Sequence, residues 1–100
     1  MIKNINEWTE VTKGLYRYVL AAECCYELII VYWENKTDLM DAKAELYLVG
    51  NFHEHSTNKN YFSRELLASE LLVSECLEVA YNDDKENNIW KKMLKQFKEG

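Results

Sequence analysis

The stretch that decides the fold is CYELIIVYW, residues 25–33. It is rich in β-branched and aromatic residues, which favour a β-strand. Successive side chains of a strand lie on opposite faces, and here both sets are apolar. A strand that is apolar on both faces is usually central and covered on both sides. We therefore predict that residues 25–33 form the central strand of a sheet.

The neighbouring segments extend this sheet to about four strands. Residues 15–22 favour a strand paired with the central one, although their apolar spacing also fits a helical face, so a helix stays open as an alternative. Residues 42–49 alternate between apolar and polar, and residues 61–67 return as the fourth strand. The polar run 50–60 predicts a long loop. Residues 3–13 predict a short helical turn followed by extended chain.

Two helices are predicted after the strands. Residues 71–82 carry an apolar stripe, with Ser69 or Ser74 as the N-cap. Residues 89–98 carry apolar residues at i, i+3, i+4 and i+7. The two stripes consist of Leu72, Val73, Cys76, Leu77 and Ala80 in the first helix, and of Trp90, Met93, Leu94 and Phe97 in the second. The sequence therefore predicts a single α+β domain over residues 1–100, an antiparallel meander sheet with two C-terminal helices packed on one face.

One passage has a resemblance to a known family. The strand predicted at residues 61–67, followed by residues 73–80, resembles the strand-to-helix passage of HicB-like antitoxins. Because the resemblance covers only this passage, it implies no activity, cofactor, partner or site residue for this chain.

The charge and the glycine count exclude several function classes. The chain carries 12 basic and 17 acidic residues, a net charge of −5. An acidic body repels phosphate backbones, which argues against direct nucleic-acid binding. Glycines stand only at Gly14, Gly50 and Gly100, so the sequence contains no phosphate-binding or dinucleotide-binding glycine motif. We expect a protein that is not an enzyme and needs no cofactor.

The cysteines and the hydropathy pattern bear on the compartment. The three cysteines are odd in number, and the adjacent pair Cys24 and Cys25 is a poor disulfide because its geometry would be strained. Reduced thiols fit a reducing compartment. The N-terminal residues lack the apolar core of a signal peptide, and no apolar run approaches the ~20 residues that a bilayer requires. The sequence therefore predicts a cytoplasmic protein without a membrane span.

A few side chains are candidates for chemistry. His53 and His55 form an H-x-H pair, whose imidazoles would lie on the same side of an extended chain. A zinc site needs further ligands, so two solvated loop histidines are the favoured interpretation and a metal site is a weak alternative. A thiol nucleophile with a histidine base is a further alternative. Cys25 and Cys76 lie in apolar patterns, which favours core packing for both.

The tyrosines are the strongest candidates for a functional surface. Tyrosine combines an apolar ring with a polar hydroxyl, which suits protein interfaces, but it is equally a good strand residue. Six of them fall on predicted strands: Tyr16, Tyr18, Tyr26, Tyr32, Tyr47 and Tyr61. The sheet face that the helices leave bare needs cover from the N-terminal segment or from a second copy of the chain.

These observations lead to two functional hypotheses. The first is a non-enzymatic protein-binding module, homodimeric, that uses a tyrosine-rich sheet face. The second is a small acidic inhibitor, of the kind that a phage or mobile element encodes, which occupies the basic groove of a nucleic-acid-handling or defence protein by mimicking nucleic acid.

Overall fold

The fold is an antiparallel sheet of five strands in meander order, followed by one helix. The computed structural model describes residues 1–21, 24–34, 37–54, 57 and 59–87. The strands are β1 (Thr9–Thr12), β2 (Leu15–Ala21), β3 (Cys24–Tyr32), β4 (Lys43–Glu54) and β5 (Lys59–Leu72), and the helix is α1 (Val73–Asn82). The α+β class and the meander order are confirmed, with five strands rather than four and one helix in the described part of the chain rather than two.

The N-terminal residues form a turn followed by extended chain, as the sequence predicts, and the extended chain is an additional strand at the edge of the sheet. A 3-10 turn at Ile5–Glu7 precedes β1. Gly14 joins β1 to β2 with φ = 85°, a left-handed backbone conformation that residues other than glycine rarely adopt. Its carbonyl accepts a hydrogen bond from the amide of Ile30 at 2.8 Å, which ties this turn to β3.

The central position of β3 is confirmed. It pairs with β2 on one side and with β4 on the other, both antiparallel. The segment before it is a strand, so the helical alternative for residues 15–22 is wrong. Tyr16 lies opposite Leu28 and Tyr18 opposite Tyr26, which shows that strand pairing overrides the helical spacing in this segment.

The prediction of a loop over residues 50–60 is wrong for most of that range. β4 runs on to Glu54 and β5 begins at Lys59. The ladder between them continues through polar residues, with His53 opposite Asn60. Backbone hydrogen bonds of an antiparallel pair do not depend on apolar side chains, so polar composition alone did not end the strands.

The first predicted helix is present and begins two residues later than predicted. Its N-cap is Leu72, not Ser69 or Ser74. The carboxylate of Glu75 accepts a hydrogen bond from the Leu72 amide at 3.1 Å and so supplies the cap. A π-helical turn at Asp83–Asn87 follows α1. The second predicted helix, residues 89–98, lies outside the described residues.

The helix and the N-terminal segment lie on the same side of the sheet. The core there contains Leu28 and Leu46 from the strands and Leu77 from α1, all completely or almost completely buried. Trp8 packs against Tyr18, with ring centroids 5.5 Å apart, and its indole donates to the carbonyl of Ile2 at 2.7 Å. The N-terminal segment therefore covers the face that α1 also covers. We call this side of the sheet the covered face.

Candidate protein-interaction face

The opposite side of the sheet is left bare by the described residues, and we call it the open face. Residues opposite each other in an antiparallel pair share a face, so the pairing defines its members. They are Thr9 on β1, Leu15, Arg17 and Val19 on β2, Cys25, Glu27, Ile29 and Tyr32 on β3, Lys43, Glu45, Tyr47 and Val49 on β4, and Phe62, Arg64, Leu66 and Leu72 on β5.

Exposed apolar side chains are part of this face. Val19 is 64% exposed, Phe62 68% and Leu66 51%. The partly buried Cys25 and Val49 lie between Val19 and Arg64 in one row of cross-strand pairs. Several exposed apolar side chains on one face mark an interaction site more often than a single exposed side chain does.

Charged side chains on the open face are held in fixed positions by their neighbours. Arg17 donates from Nε and Nη2 to one carboxylate oxygen of Glu27, at 3.2 and 2.7 Å. This hydrogen bond is the main reason that the pKa of Arg17 is raised. The guanidinium of Arg64 lies 4.0 Å from the ring centroid of Tyr47, a cation–π contact. Such ordering lowers the entropy that binding a partner would cost.

The net charge of the open face differs from that of the chain. The face carries Arg17, Lys43 and Arg64 against Glu27 and Glu45, whereas the whole chain has a net charge of −5. Glu45 is itself contacted, since the hydroxyls of Tyr47 and Ser69 donate to it at 3.3 and 3.4 Å. The open face is therefore slightly basic on an acidic protein.

The six predicted tyrosines do not share one surface. Tyr16, Tyr18 and Tyr26 lie on the covered face, and Tyr26 is completely buried. Tyr47 lies on the open face. Tyr32, which is 62% exposed at the end of β3, lies opposite Lys43 and so shares the open face with Tyr47. For Tyr61 the structure gives the backbone position, opposite Phe52 in the β4–β5 ladder. Contact of any of these residues with a partner stays a prediction.

The residues that sequence reasoning missed are Val19, Arg17 and Glu27 on the open face. The alternation in residues 61–67 correctly placed Phe62, Arg64 and Leu66 together, and the pairing confirms it. Alternation, however, does not reveal which of two faces a helix will cover. That choice follows from where α1 packs, which is a tertiary contact.

Tyr26 has a structural role in the core and is not part of an exposed surface. Its hydroxyl donates to the carboxylate of Asp83 at 2.5 Å, and both side chains are buried. Burial raises the pKa of Tyr26, and the hydrogen bond and the negative charges of Asp83 and Asp84 raise it further. The bond ties the central strand to the turn that follows α1.

The candidate thiols are mostly protected. Cys24 and Cys76 are buried and Cys25 is partly buried, and no disulfide bond joins any two of them. Burial raises the pKa of Cys76 to about 11. Burial also raises the pKa of Cys25, the charge of Glu27 adds to this effect, and Arg17 opposes it. A raised pKa leaves little thiolate at neutral pH, and the thiolate is the nucleophile.

The histidines are only partly within the described structure. His53 lies in β4, and His55 lies outside the described residues. Among the residues that the structure describes, no group of three or more His, Cys, Asp or Glu side chains could hold a metal ion. A metal site at His53 and His55 stays an untested alternative.

A shallow cleft lies beside the β1–β2 turn, at the edge of the sheet. Its walls include Val11, Tyr16, Ile30 and Trp33, with Lys13 at the rim. The Trp33 indole donates to the carbonyl of Thr37 at 3.1 Å, which holds this side chain in place. The cleft combines this aromatic and apolar surface with the carboxylate of Glu10, and burial together with a hydrogen bond to Glu10 raises the pKa of Tyr16.

Comparisons with known proteins add no family to this geometry. No protein-family model matches the chain, and no match was found among the curated proteins or the solved structures. Within the described residues, no helix has the length and apolar character needed to cross a membrane.

Proposed function

We propose that this protein is a non-enzymatic protein-binding module that works as a homodimer and contacts its partner protein through the open face. The observation that carries the proposal is the group of exposed apolar side chains, Val19, Phe62 and Leu66, on one side of a single sheet. Large apolar side chains at the surface gain free energy when a partner excludes water from them. The ordered Arg64 and Tyr47 beside them are of the residue types that dominate interface energetics.

The chemistry of the open face describes the partner it suits. Apolar residues occupy positions on β2, β3, β4 and β5, and the three basic residues outnumber the two acidic ones. The complementary surface is an apolar patch with carboxylates near its rim. Such a partner gains most of its affinity from apolar contact, and charge mainly sets orientation and association rate.

The thiols of the three cysteines support a cytoplasmic setting for this binding. Cys24, Cys25 and Cys76 are all unbridged. A reducing compartment keeps them so, and oxidation of the partly buried Cys25 would place a modified side chain on the open face.

A second function is favoured by the opposite side of the protein. This side carries the acidic residues Glu75, Glu78 and Asp84 on or beside α1, and Lys3 of the N-terminal segment forms an ion pair with Glu78 at 3.3 Å. Glu75 and Glu78 are exposed on α1. An acidic inhibitor of a nucleic-acid-handling or defence protein would use this side to occupy a basic groove. Its binding would weaken steeply with salt, because the contacts would be between exposed charges.

One capture experiment separates the two functions. The full chain is immobilised, exposed to lysate of the native host after nuclease treatment, and washed at low and at high salt. Three versions are compared: wild type, Val19→Lys on the open face, and Glu78→Gln on α1. The two variants change the net charge by the same amount, so the comparison isolates the location of the change.

We expect wild type and Glu78→Gln to retain the same protein at both salt concentrations, and Val19→Lys to lose it by about 10-fold or more, as burial of a charge at an apolar contact predicts. Retention by Val19→Lys equal to wild type would contradict the open-face proposal. Loss in Glu78→Gln together with loss at high salt would support the acidic inhibitor instead.

A further inference from the structure

The two edges of the sheet differ in how well they could pair with another strand. β1 is four residues long, and its pairing with β2 is irregular between Glu10 and Thr12. β5 is 14 residues long and pairs only with β4 in the described sheet. Short or bulged edges resist pairing with other chains, whereas long regular edges invite it. β5 is therefore the edge that can accept another strand.

The regular part of β5 is its first half. From Lys59 to Leu66 every residue has a partner on β4 without interruption. After Leu66 the pairing shifts twice, and Glu70 has φ = 58°, a conformation that kinks the strand. Bulges twist an edge away from further pairing. An added strand would thus lie along Lys59–Leu66.

We propose that the β5 edges of two copies pair antiparallel about a two-fold axis at Phe62, joining the two sheets into one. The proposal rests on the homodimer proposed above and specifies how that homodimer forms. It leaves the open faces of both copies side by side and available to a partner, because the contact is made by strand edges and not by faces.

The register follows from the requirement that residues opposite each other share a face. In a symmetric antiparallel pair this requirement places the two-fold axis at a residue rather than between two residues. With the axis at Phe62, position 65 stands opposite position 59, so Glu65 of each copy stands opposite Lys59 of the other. Phe62, which is 68% exposed, meets its own counterpart.

The neighbouring registers are less favourable. An axis at Arg64 would set two arginines directly opposite each other, which destabilises a strand pair. An axis at Ser63 would set Leu66 opposite Asn60 and leave Glu65 opposite Tyr61, without any pair of opposite charges. Of these three registers, only the one centred on Phe62 sets opposite charges against each other, and this self-complementarity favours a second copy of the chain as the occupant of this edge.

The test is a charge swap measured by sedimentation velocity on the purified full chain. Wild type should form a dimer of twice the 11.9 kDa chain mass. Glu65→Lys and Lys59→Glu should each raise the dissociation constant of the dimer by about 10-fold or more, because two like-charge pairs replace two attractive ones by symmetry. The double variant Lys59→Glu with Glu65→Lys should restore the dimer to nearly wild-type affinity.

Val19→Lys, on the open face, serves as the matched control and should leave the dimer unchanged. The edge pairing would be overturned if wild type stays monomeric at about 100 μM, a concentration far above the dissociation constants of specific complexes. So would a dimer that ignores the single charge reversals, or one that Val19→Lys breaks. A monomer whose partner capture still depends on Val19 would refute the edge pairing and the homodimer but leave the open-face contact standing. An intact dimer without Val19-dependent capture would refute the open-face contact and leave the edge pairing standing.

Discussion

The covered and open faces of the sheet are built from the same strands, but the covered face contributes stability and the open face contributes a contact surface. On the covered face Leu28 and Leu46 are completely buried beneath α1. On the open face Val19 and Leu66 are each more than half exposed. Because side chains alternate along a strand, one segment can supply stability with one set of residues and a contact surface with the other. Substitutions on the two faces should therefore affect different properties.

The polar groups of the two faces also differ in their exposure to water. On the covered face, the hydroxyl of Tyr26 is buried against Asp83 and its pKa is raised. On the open face, Arg17 pairs with Glu27 and Arg64 stacks on Tyr47, where water can reach them. Buried polar pairs fix the fold, while exposed ones contribute little to stability and remain available to a partner.

The largest effect is expected for Leu28→Ala on the covered face. Leu28 lies in the central strand and is completely buried. Removing its side chain leaves a cavity between the sheet and α1, and we expect the free energy of unfolding to fall by about 2–5 kcal/mol. Urea denaturation followed by circular dichroism measures this change. A loss below about 1 kcal/mol would show that this face is not closely packed.

A smaller effect is expected from the pH dependence of stability at Cys76. Its thiol has a pKa of about 11 in the folded protein against 9.0 for the unperturbed group. The unfolded chain therefore loses this proton first as the pH rises, so the contribution of Cys76 is complete below about pH 9 and declines toward pH 11.

Cys76→Ala removes this titration and gives the measurement its control. Between pH 9 and 11 the wild-type free energy of unfolding should fall by about 2–3 kcal/mol more than that of Cys76→Ala. Urea denaturation at several pH values compares the two proteins. Parallel curves would mean that the thiol is not buried in the folded state.

The strands and the first helix could be predicted because each depends on a pattern of residues that are close together in the sequence. The apolar run at residues 25–33 marked the central strand, and the stripe through Cys76 and Leu77 marked α1. It failed at residues 50–60, where pairing between β4 and β5 extends polar strands. The N-cap was also missed, because the Glu75 carboxylate caps the helix from within its first turn.

The candidate site was harder to predict than the fold. Tyr26 and Tyr47 fall on adjacent strands and look alike in sequence, yet one is completely buried and the other lies on the open face. Their difference depends on the side of the sheet that α1 and Trp8 cover. That is a long-range property, and a strand pattern that is apolar on both faces does not contain it.

The measurement that tests the central claim most directly is the stability of Leu66→Ala. It repeats on the open face the substitution made at Leu28, at a residue that is 51% exposed. We expect the free energy of unfolding, measured by urea denaturation, to change by about 1 kcal/mol or less, the range of strand propensity alone. A loss of about 2 kcal/mol or more, as expected for a buried leucine, would show that the protein's own chain covers this face and would contradict its role as an open contact surface.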